Sequence, residues 1–120
     1  MRVRSSDSVT IISLEAEAIL QRLREAARSL IKQRDEVGSV WLFGSLAKGQ
    51  AVPGSDADIL VVLKEATRPP RDRLTEYVGA FAGVGVPAEV LAYTQDELDA
   101  MRAEGNCFIR TIVEHRLQLA

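Results

Sequence analysis

The stretch that decides the fold is residues 40–63, VWLFGSLAKGQAVPGSDADILVVL. It begins and ends with short apolar runs, and each run is typical of a buried β-strand. Between the runs lie a turn at Gly44 and Ser45 and then two carboxylates, Asp56 and Asp58, at the entrance of the second run. An unpaired charge beside a buried strand is costly, so Asp58 in particular requires an explanation.

The spacing of the two carboxylates suits a cation. Residues i and i+2 of an extended chain point to the same side, with about 6–7 Å of backbone between them. Asp56 and Asp58 could therefore bind one cation, or straddle two cations roughly 3.5–4 Å apart. Mg²⁺ prefers oxygen ligands and commonly combines one or two carboxylates with substrate phosphates, which suits a metal-bound nucleoside triphosphate. Taken alone, Asp56 with Ser55 favours an ordinary turn in which side chains bond nearby backbone amides.

The Gly44-Ser45 turn is a candidate for the phosphate side of such a site. A glycine at a strand end lets the backbone approach a ligand closely, and a short helical turn from Ser45 to Gly49 would present amides to phosphate. By itself the Gly-Ser pair favours an ordinary strand-to-helix turn. Other phosphate motifs, Gly-Lys-Ser/Thr and Gly-x-Gly-x-x-Gly, are absent from the sequence, and Leu60 stands where an EF-hand loop requires an oxygen ligand.

Composition excludes several classes of protein. The sequence has 120 residues, a net charge of −2, one Cys and one His. This length fits one domain, and the negative charge argues against a broad nucleic-acid footprint. A disulfide framework, a thiolate zinc cluster and a multi-His metal site are excluded, and Cys107 and His115 are interpreted as structural or surface residues. We expect a cytoplasmic protein, because no run approaches a membrane span and the N-terminus lacks the apolar stretch of a signal peptide.

The hydrophobic pattern predicts one α/β (α+β) domain over residues 1–120, with the order α-β-turn-β-α-β-α-α. Residues 1–12 are predicted to form a frayed arm before a helix from about Ser13 to Arg34, which ends by Gly38. The other predicted elements are strands at 40–43, 59–63 and 88–93, helices near 74–81, 95–101 and 108–113, and an edge strand in RLQLA. Thr94 and Glu97 fit a capping box at the start of the 95–101 helix.

The segment FGSLAKG…GSDADILVVL resembles the nucleotidyltransferase domain of the DNA polymerase beta superfamily, whose pattern is Gly-Ser, a glycine four residues after that Ser, and Ser-Asp-x-Asp opening an apolar strand. The small size and the ending AEVLAYTQDEL…NCFIRTIVEHRLQLA look most like the minimal nucleotidyltransferases, which are often encoded beside a HEPN-domain partner. The resemblance covers roughly residues 13–119, with a highly specific motif only at 44–63. It implies the nucleotidyltransferase fold, a small mixed β-sheet with helices packed against it.

The resemblance also implies a set of site residues. Asp56 and Asp58 would be the metal-binding, catalytic carboxylates, and Glu89 would be the third carboxylate, from a later strand. Triphosphate binding would fall to Gly44, Ser45, Lys48, Gly49 and Ser55. As a structural residue, Glu89 could instead guard an edge strand against aggregation. The sequence departs from the family pattern at Leu46, where members often have a basic residue, and at Glu89, where many have Asp.

The reaction implied by the resemblance is Mg²⁺-dependent transfer of a nucleoside monophosphate, AMP from ATP, to a hydroxyl acceptor with release of pyrophosphate. The implied biological role is the antitoxin of a HEPN/MNT toxin–antitoxin pair, with a HEPN-domain protein as partner and a homo-oligomer left open. The alternative is a binding module with a weak or vestigial site that neutralises the partner by contact. Transfer to a small molecule such as an aminoglycoside is disfavoured, because little of the sequence lies outside the core unit.

Overall fold

A computed structural model describes residues 6–47, 56–66, 68–73 and 75–120. In chain order it contains α1 (Ser6–Gln33), β1 (Val37–Phe43), α2 (Gly44–Ala47), β2 (Ala57–Leu63), β3 (Ala88–Thr94), α3 (Gln95–Ala103), α4 (Cys107–Glu114) and β4 (Leu117–Gln118). Short 3₁₀ turns at Pro70–Arg73 and Val78–Phe81 lie between β2 and β3. The predicted α/β (α+β) class is confirmed.

The strands form a four-stranded mixed sheet in the order β3-β2-β1-β4. β1 is antiparallel to β2 and to β4, whereas β2 and β3 are parallel. Parallel neighbours need a crossover connection, which residues 64–87 provide. The edge strand predicted in RLQLA is confirmed, because β4 pairs with β1 at that position.

Helices cover both faces of the sheet. Because side chains alternate along a strand, Ile59, Val61 and Leu63 pack against α1 and the second 3₁₀ turn, while Leu60 and Val62 pack against α3 and α4. Asp58 lies two residues before Leu60 and therefore belongs to the face that α3 and α4 cover. The alternation of β2 thus decides which helices approach the predicted site.

The first helix and the first strand both begin earlier than predicted. Residues 6–12, assigned above to an arm, are helical, and α1 ends at Gln33. Gly38 does not end the helix but lies within β1, where the pairing with β2 shifts register between Val37 and Ser39. Val37 is buried in the core, and this burial favours strand over a longer turn.

Among the described helices, none has the combination of length and apolar character needed to cross a lipid bilayer.

The helix predicted near 74–81 is wrong, because the helical part of that range is only a short 3₁₀ turn, Val78–Phe81, and the other 3₁₀ turn, Pro70–Arg73, precedes the range. Each glycine in a helix interior costs about 1 kcal/mol relative to alanine, and Gly79 lies within the predicted helix with Gly83 just after it. Tyr77 and Phe81, two apolar residues of the predicted helix, are nevertheless buried against α1. The hydrophobic spacing identified core residues correctly but not the backbone that carries them.

The capping box at the start of α3 is confirmed. Thr94 Oγ1 accepts from the Glu97 amide at 3.1 Å, and Glu97 Oε1 accepts from the Thr94 amide at 2.8 Å. The same carboxylate also accepts two bonds from the Arg73 guanidinium, at 2.7 and 3.0 Å. Arg73 is only 4% exposed and also donates to the carbonyls of Arg68 and Ala92. Glu97 therefore joins α3 to the crossover between β2 and β3.

Candidate active site

Asp58 lies in the middle of a row of three residues across the sheet. It pairs with Phe43 of β1 on one side and with Glu89 of β3 on the other. Residues in direct register on neighbouring strands point to the same face, so Asp58 and Glu89 are side by side. Both line one cleft of about 300 Å³, together with Phe43 and Gly44. The structure therefore brings together two of the three carboxylates predicted from the sequence.

Gly44 begins α2 directly after β1, and its backbone is in contact with the Asp58 side chain. Its φ angle is +78°, in the left-handed region that favours glycine. A Cβ at this position would lie 3.2 Å from Cγ of Asp58 and closer still to Oδ2. Only a residue without a side chain lets the carboxylate occupy this place. The Gly-Ser turn and the Asp58 carboxylate thus form one local unit.

Negative charge accumulates around Asp58, where Glu89 and Asp56 both repel its carboxylate. Partial burial raises the pKa of Asp58, and the negative charges of Glu89 and then Asp56 raise it further. Asp56 is exposed and stands directly before β2, outside the set of residues that line the cleft. None of the cleft residues that the structure describes is a lysine or arginine. A bound cation would relieve this repulsion.

The donor set fits a divalent cation held by few protein ligands. In the described part of the chain, no three His, Cys, Asp or Glu side chains are grouped as a ready-made metal site. Mg²⁺ does not require such a cage, because it keeps several waters and uses one or two carboxylates plus substrate phosphates. Asp58 with Glu89 or Asp56 offers hard oxygen ligands of this kind. We therefore treat these carboxylates as the residues that would hold a metal.

Some predicted site residues cannot be placed. Lys48, Gly49 and Ser55 lie outside the described residues, and so does the side chain of Ser45, whose backbone belongs to α2. The predicted phosphate-binding role of this group stays a prediction. Glu89 is exposed on β3, which is an edge strand of the sheet. The gatekeeper interpretation thus remains compatible with its position, but its pairing with Asp58 within the cleft favours a role in the site.

Part of the cleft lining comes from α4 and the residue after it, a segment that was not predicted to belong to the site. Phe108, Thr111, Ile112 and His115 recur at i, i+3, i+4 and i+7, which places them on one side of the helix. His115 was interpreted as structural or surface, and it is an exposed residue that lines the cleft. Helical spacing alone could have grouped these four residues. It could not have shown that they line the same cleft as Asp58.

The side chains of Tyr93, Trp41 and Cys107 lie outside the cleft. Tyr93 and Trp41 pack at the edge of the core beneath α3 and α4 and are not among the residues that line the cleft. The Trp41 ring stacks under the Arg116 guanidinium, with 3.9 Å between the Arg116 Cζ atom and the ring centroid. Cys107 is an exposed free thiol, as expected for a surface residue.

Comparison with known proteins identifies the family. No curated protein matches this sequence significantly. Among solved structures, the fold is similar to that of a Sulfolobus solfataricus protein provisionally described as a nucleotidyltransferase, with a TM-score of 0.65 and 19% identity over 89% of this chain and 84% of that chain. At this identity the likeness shows the fold alone, and it confirms the predicted nucleotidyltransferase fold. Residues 20–118 match the family model of the nucleotidyltransferase domain, and the chain therefore belongs to the nucleotidyltransferase domain family.

Proposed function

We propose that this protein transfers AMP from ATP to a hydroxyl acceptor, with Mg²⁺ as the metal and pyrophosphate as the second product. The observation that carries the proposal is the pairing of Asp58 with Glu89 beside Gly44 in one cleft. Family membership supports nucleotidyl transfer in general. The identity of the nucleotide, of the metal and of the acceptor is proposed here in addition to that general activity.

The chemistry forms one bond and breaks one bond at the α-phosphorus. The acceptor oxygen attacks this atom, the bond to the oxygen that bridges to the β-phosphorus breaks, and the electron pair leaves with pyrophosphate. When bound, a divalent cation would supply positive charge next to the triphosphate and the attacking and leaving oxygens. Asp56 and Asp58 would hold the cation. Glu89 would either complete that ligand set or accept the proton of the acceptor hydroxyl.

The Gly44-Ser45 turn would orient the β- and γ-phosphates through backbone amides. Asp58 is fixed by the strand and by its contact with Gly44, so the carboxylate and the turn keep a constant relation to each other. Such preorganisation lowers the barrier because fewer groups must be ordered at the moment of reaction. The cleft is open to solvent at exposed lining residues such as Glu89, so an acceptor hydroxyl on another protein can reach it. A HEPN-domain protein is our proposed partner and acceptor, on the basis of the sequence resemblance.

The test is transfer of label from ATP labelled at the α-phosphate, with Mg²⁺ and a HEPN-domain protein encoded beside this one. We expect the Asp56→Asn/Asp58→Asn double variant to lose transfer while its thermal unfolding stays close to that of the wild type. The matched control is Asp35→Asn/Asp99→Asn, which removes the same charge from two exposed residues outside the cleft and should transfer normally.

Undiminished transfer by the Asp56/Asp58 variant would contradict the assignment of these carboxylates. A stable complex of the wild type with the HEPN-domain protein, with no transfer of label to it, would favour the binding-module alternative instead.

A further inference from the structure

Phe108 is the one large hydrophobic residue among the described residues that stands exposed, at 58%. Single exposed hydrophobics are common on protein surfaces, so exposure alone does not imply a function. The position of Phe108 is what distinguishes it, because its side chain lines the same cleft as Asp58 and Glu89. A ligand that enters the cleft would therefore cover this exposed ring.

The ring of Phe108 is held in place before any ligand arrives. It packs edge-on against Phe43, with 6.2 Å between ring centroids and 81° between ring planes. Phe108 also lies in the first turn of α4, which Asn106 caps by accepting from the Ile109 amide at 3.1 Å. A ring fixed by packing and by a capped helix loses little entropy on binding, which is the property of a good stacking surface.

The lining of the cleft combines two kinds of side chain. Asp58 and Glu89 are carboxylates, whereas the side chains of Leu91, Ile112 and Phe108 are apolar. A nucleoside triphosphate combines the same two characters, since its phosphate chain binds cations held by carboxylates and its flat base is only weakly polar. With a volume of about 300 Å³, the cleft lies at the lower end of the range for small-molecule sites.

We propose that Phe108 is the stacking platform for the nucleobase of the substrate, with Thr111 and His115 beside it as hydrogen-bonding partners of the base or sugar. This inference rests on the proposed function, because it locates one part of that reaction's substrate. Thr111 Oγ1 donates to the Cys107 carbonyl at 2.9 Å, so its lone pairs are the part it offers to a ligand. Every base has a π-face, so the platform should discriminate weakly between bases.

The test compares the affinity for ATP with the affinity for inorganic tripolyphosphate, each with Mg²⁺, by calorimetric titration of the full chain. We expect Phe108→Ala to raise the Kd for ATP by about 5- to 150-fold, because the variant loses the stacking of the base on the aromatic ring. Tripolyphosphate has no base, so its Kd should not change. Phe108→Leu keeps an apolar side chain without an aromatic ring and should resemble Phe108→Ala, whereas Phe108→Tyr should bind ATP within about twofold of the wild type.

Cys107→Ala is the matched control, because Cys107 is an exposed neighbour on α4 that does not line the cleft. Equal ATP affinity in Phe108→Ala and the wild type would overturn the inference and leave the proposed function standing. Equal weakening of ATP and tripolyphosphate would also overturn it, since the effect would then lie at the phosphate end. Failure of the wild type to bind either compound would overturn the proposed function and this inference with it.

Discussion

Gly44 combines two requirements that separate substitutions can distinguish. Its φ of +78° disfavours any residue with a side chain, and its contact with Asp58 leaves no room for a Cβ. Gly105, at the end of α3, has φ of +84°, but a Cβ added there would meet nothing within 4 Å. The two glycines therefore share the conformational requirement, and only Gly44 has the steric one.

We expect Gly44→Ala and Gly105→Ala to lower the free energy of unfolding by similar amounts, about 1–2 kcal/mol, because both place alanine in the left-handed region. The Asp58 carboxylate can swing aside at little further cost in stability. That movement should reduce nucleotide transfer roughly 100-fold in Gly44→Ala, since misplacement of a reacting group by about 1 Å has this effect. Chemical denaturation and the transfer assay measure the two quantities. Equal activity of the two variants would show that the position of Asp58 does not limit transfer.

At the scale of elements, α3 depends on Glu97 for its first turn and for its connection to the crossover. Hydrogen bonds from Arg73 hold the pKa of Glu97 below its usual value, against partial burial, and the Thr94 amide lowers it further. A carboxylate with a lowered folded-state pKa adds stability above its unfolded pKa, and this stability is lost as the pH falls through the folded pKa. The stabilising contribution of Glu97 is therefore complete at neutral pH and declines below about pH 4.3, the ordinary pKa of glutamate.

Glu97→Gln should lower the free energy of unfolding by about 2–3 kcal/mol at pH 7, because the buried Arg73 guanidinium loses its charged partner. The loss is smaller than the roughly 3–5 kcal/mol typical of breaking a fully buried ion pair, because the Glu97 side chain is 32% exposed and solvent screens its charge. The difference from the wild type should narrow as the pH falls below about 4.3, the ordinary pKa of glutamate, and on through the lower pKa that Glu97 has in the folded protein. Urea unfolding over this pH range measures it, with exposed Glu104→Gln as control. A difference that does not vary with pH would contradict this account of Glu97.

The elements also show which features can be predicted from a sequence. The capping box of α3 depends on residues three apart, so Thr94 and Glu97 identify it without tertiary information. The pairing of Asp58 with Glu89 follows once both lie at the same ends of neighbouring parallel strands. Phe108 and His115 were missed because the approach of α4 to the sheet is set by packing between distant segments. The 3₁₀ turn at Val78–Phe81 was predicted as a longer helix because buried Tyr77 and Phe81 have helical spacing on a glycine-rich backbone.

At the scale of the whole molecule, a separate hydrophobic core packs on each face of the one sheet. Residues of α1 pack on one face and residues of α3 and α4 on the other, with β2 contributing alternate side chains to both. Loss of packing on one face therefore weakens the strands that the other face requires. The sequence contains one tryptophan, Trp41, which packs with the α3–α4 side and can report on it.

Leu23→Ala removes a fully buried side chain of α1 and should lower the free energy of unfolding by about 2–5 kcal/mol. If the sheet couples both cores, Trp41 fluorescence and far-ultraviolet circular dichroism should report the same unfolding transition. The midpoint of that transition should lie at a lower denaturant concentration than in the wild type. Arg28→Ala changes an exposed residue of the same helix and should leave the midpoint nearly unchanged. An unshifted Trp41 transition in Leu23→Ala would mean that the two faces unfold separately.

The row Phe43–Asp58–Glu89 has a consequence for how such a sequence can change over evolutionary time. Inserting or deleting one residue within β2 or β3 would turn its carboxylate to the α1 side, because side chains alternate. The connection at residues 64–87 joins the ends of these strands, so changes of its length leave the alternation of both strands intact. We therefore expect related sequences to vary in length between the two carboxylate strands and to keep a constant residue count within each, with Asp58 and Glu89 inherited as one unit.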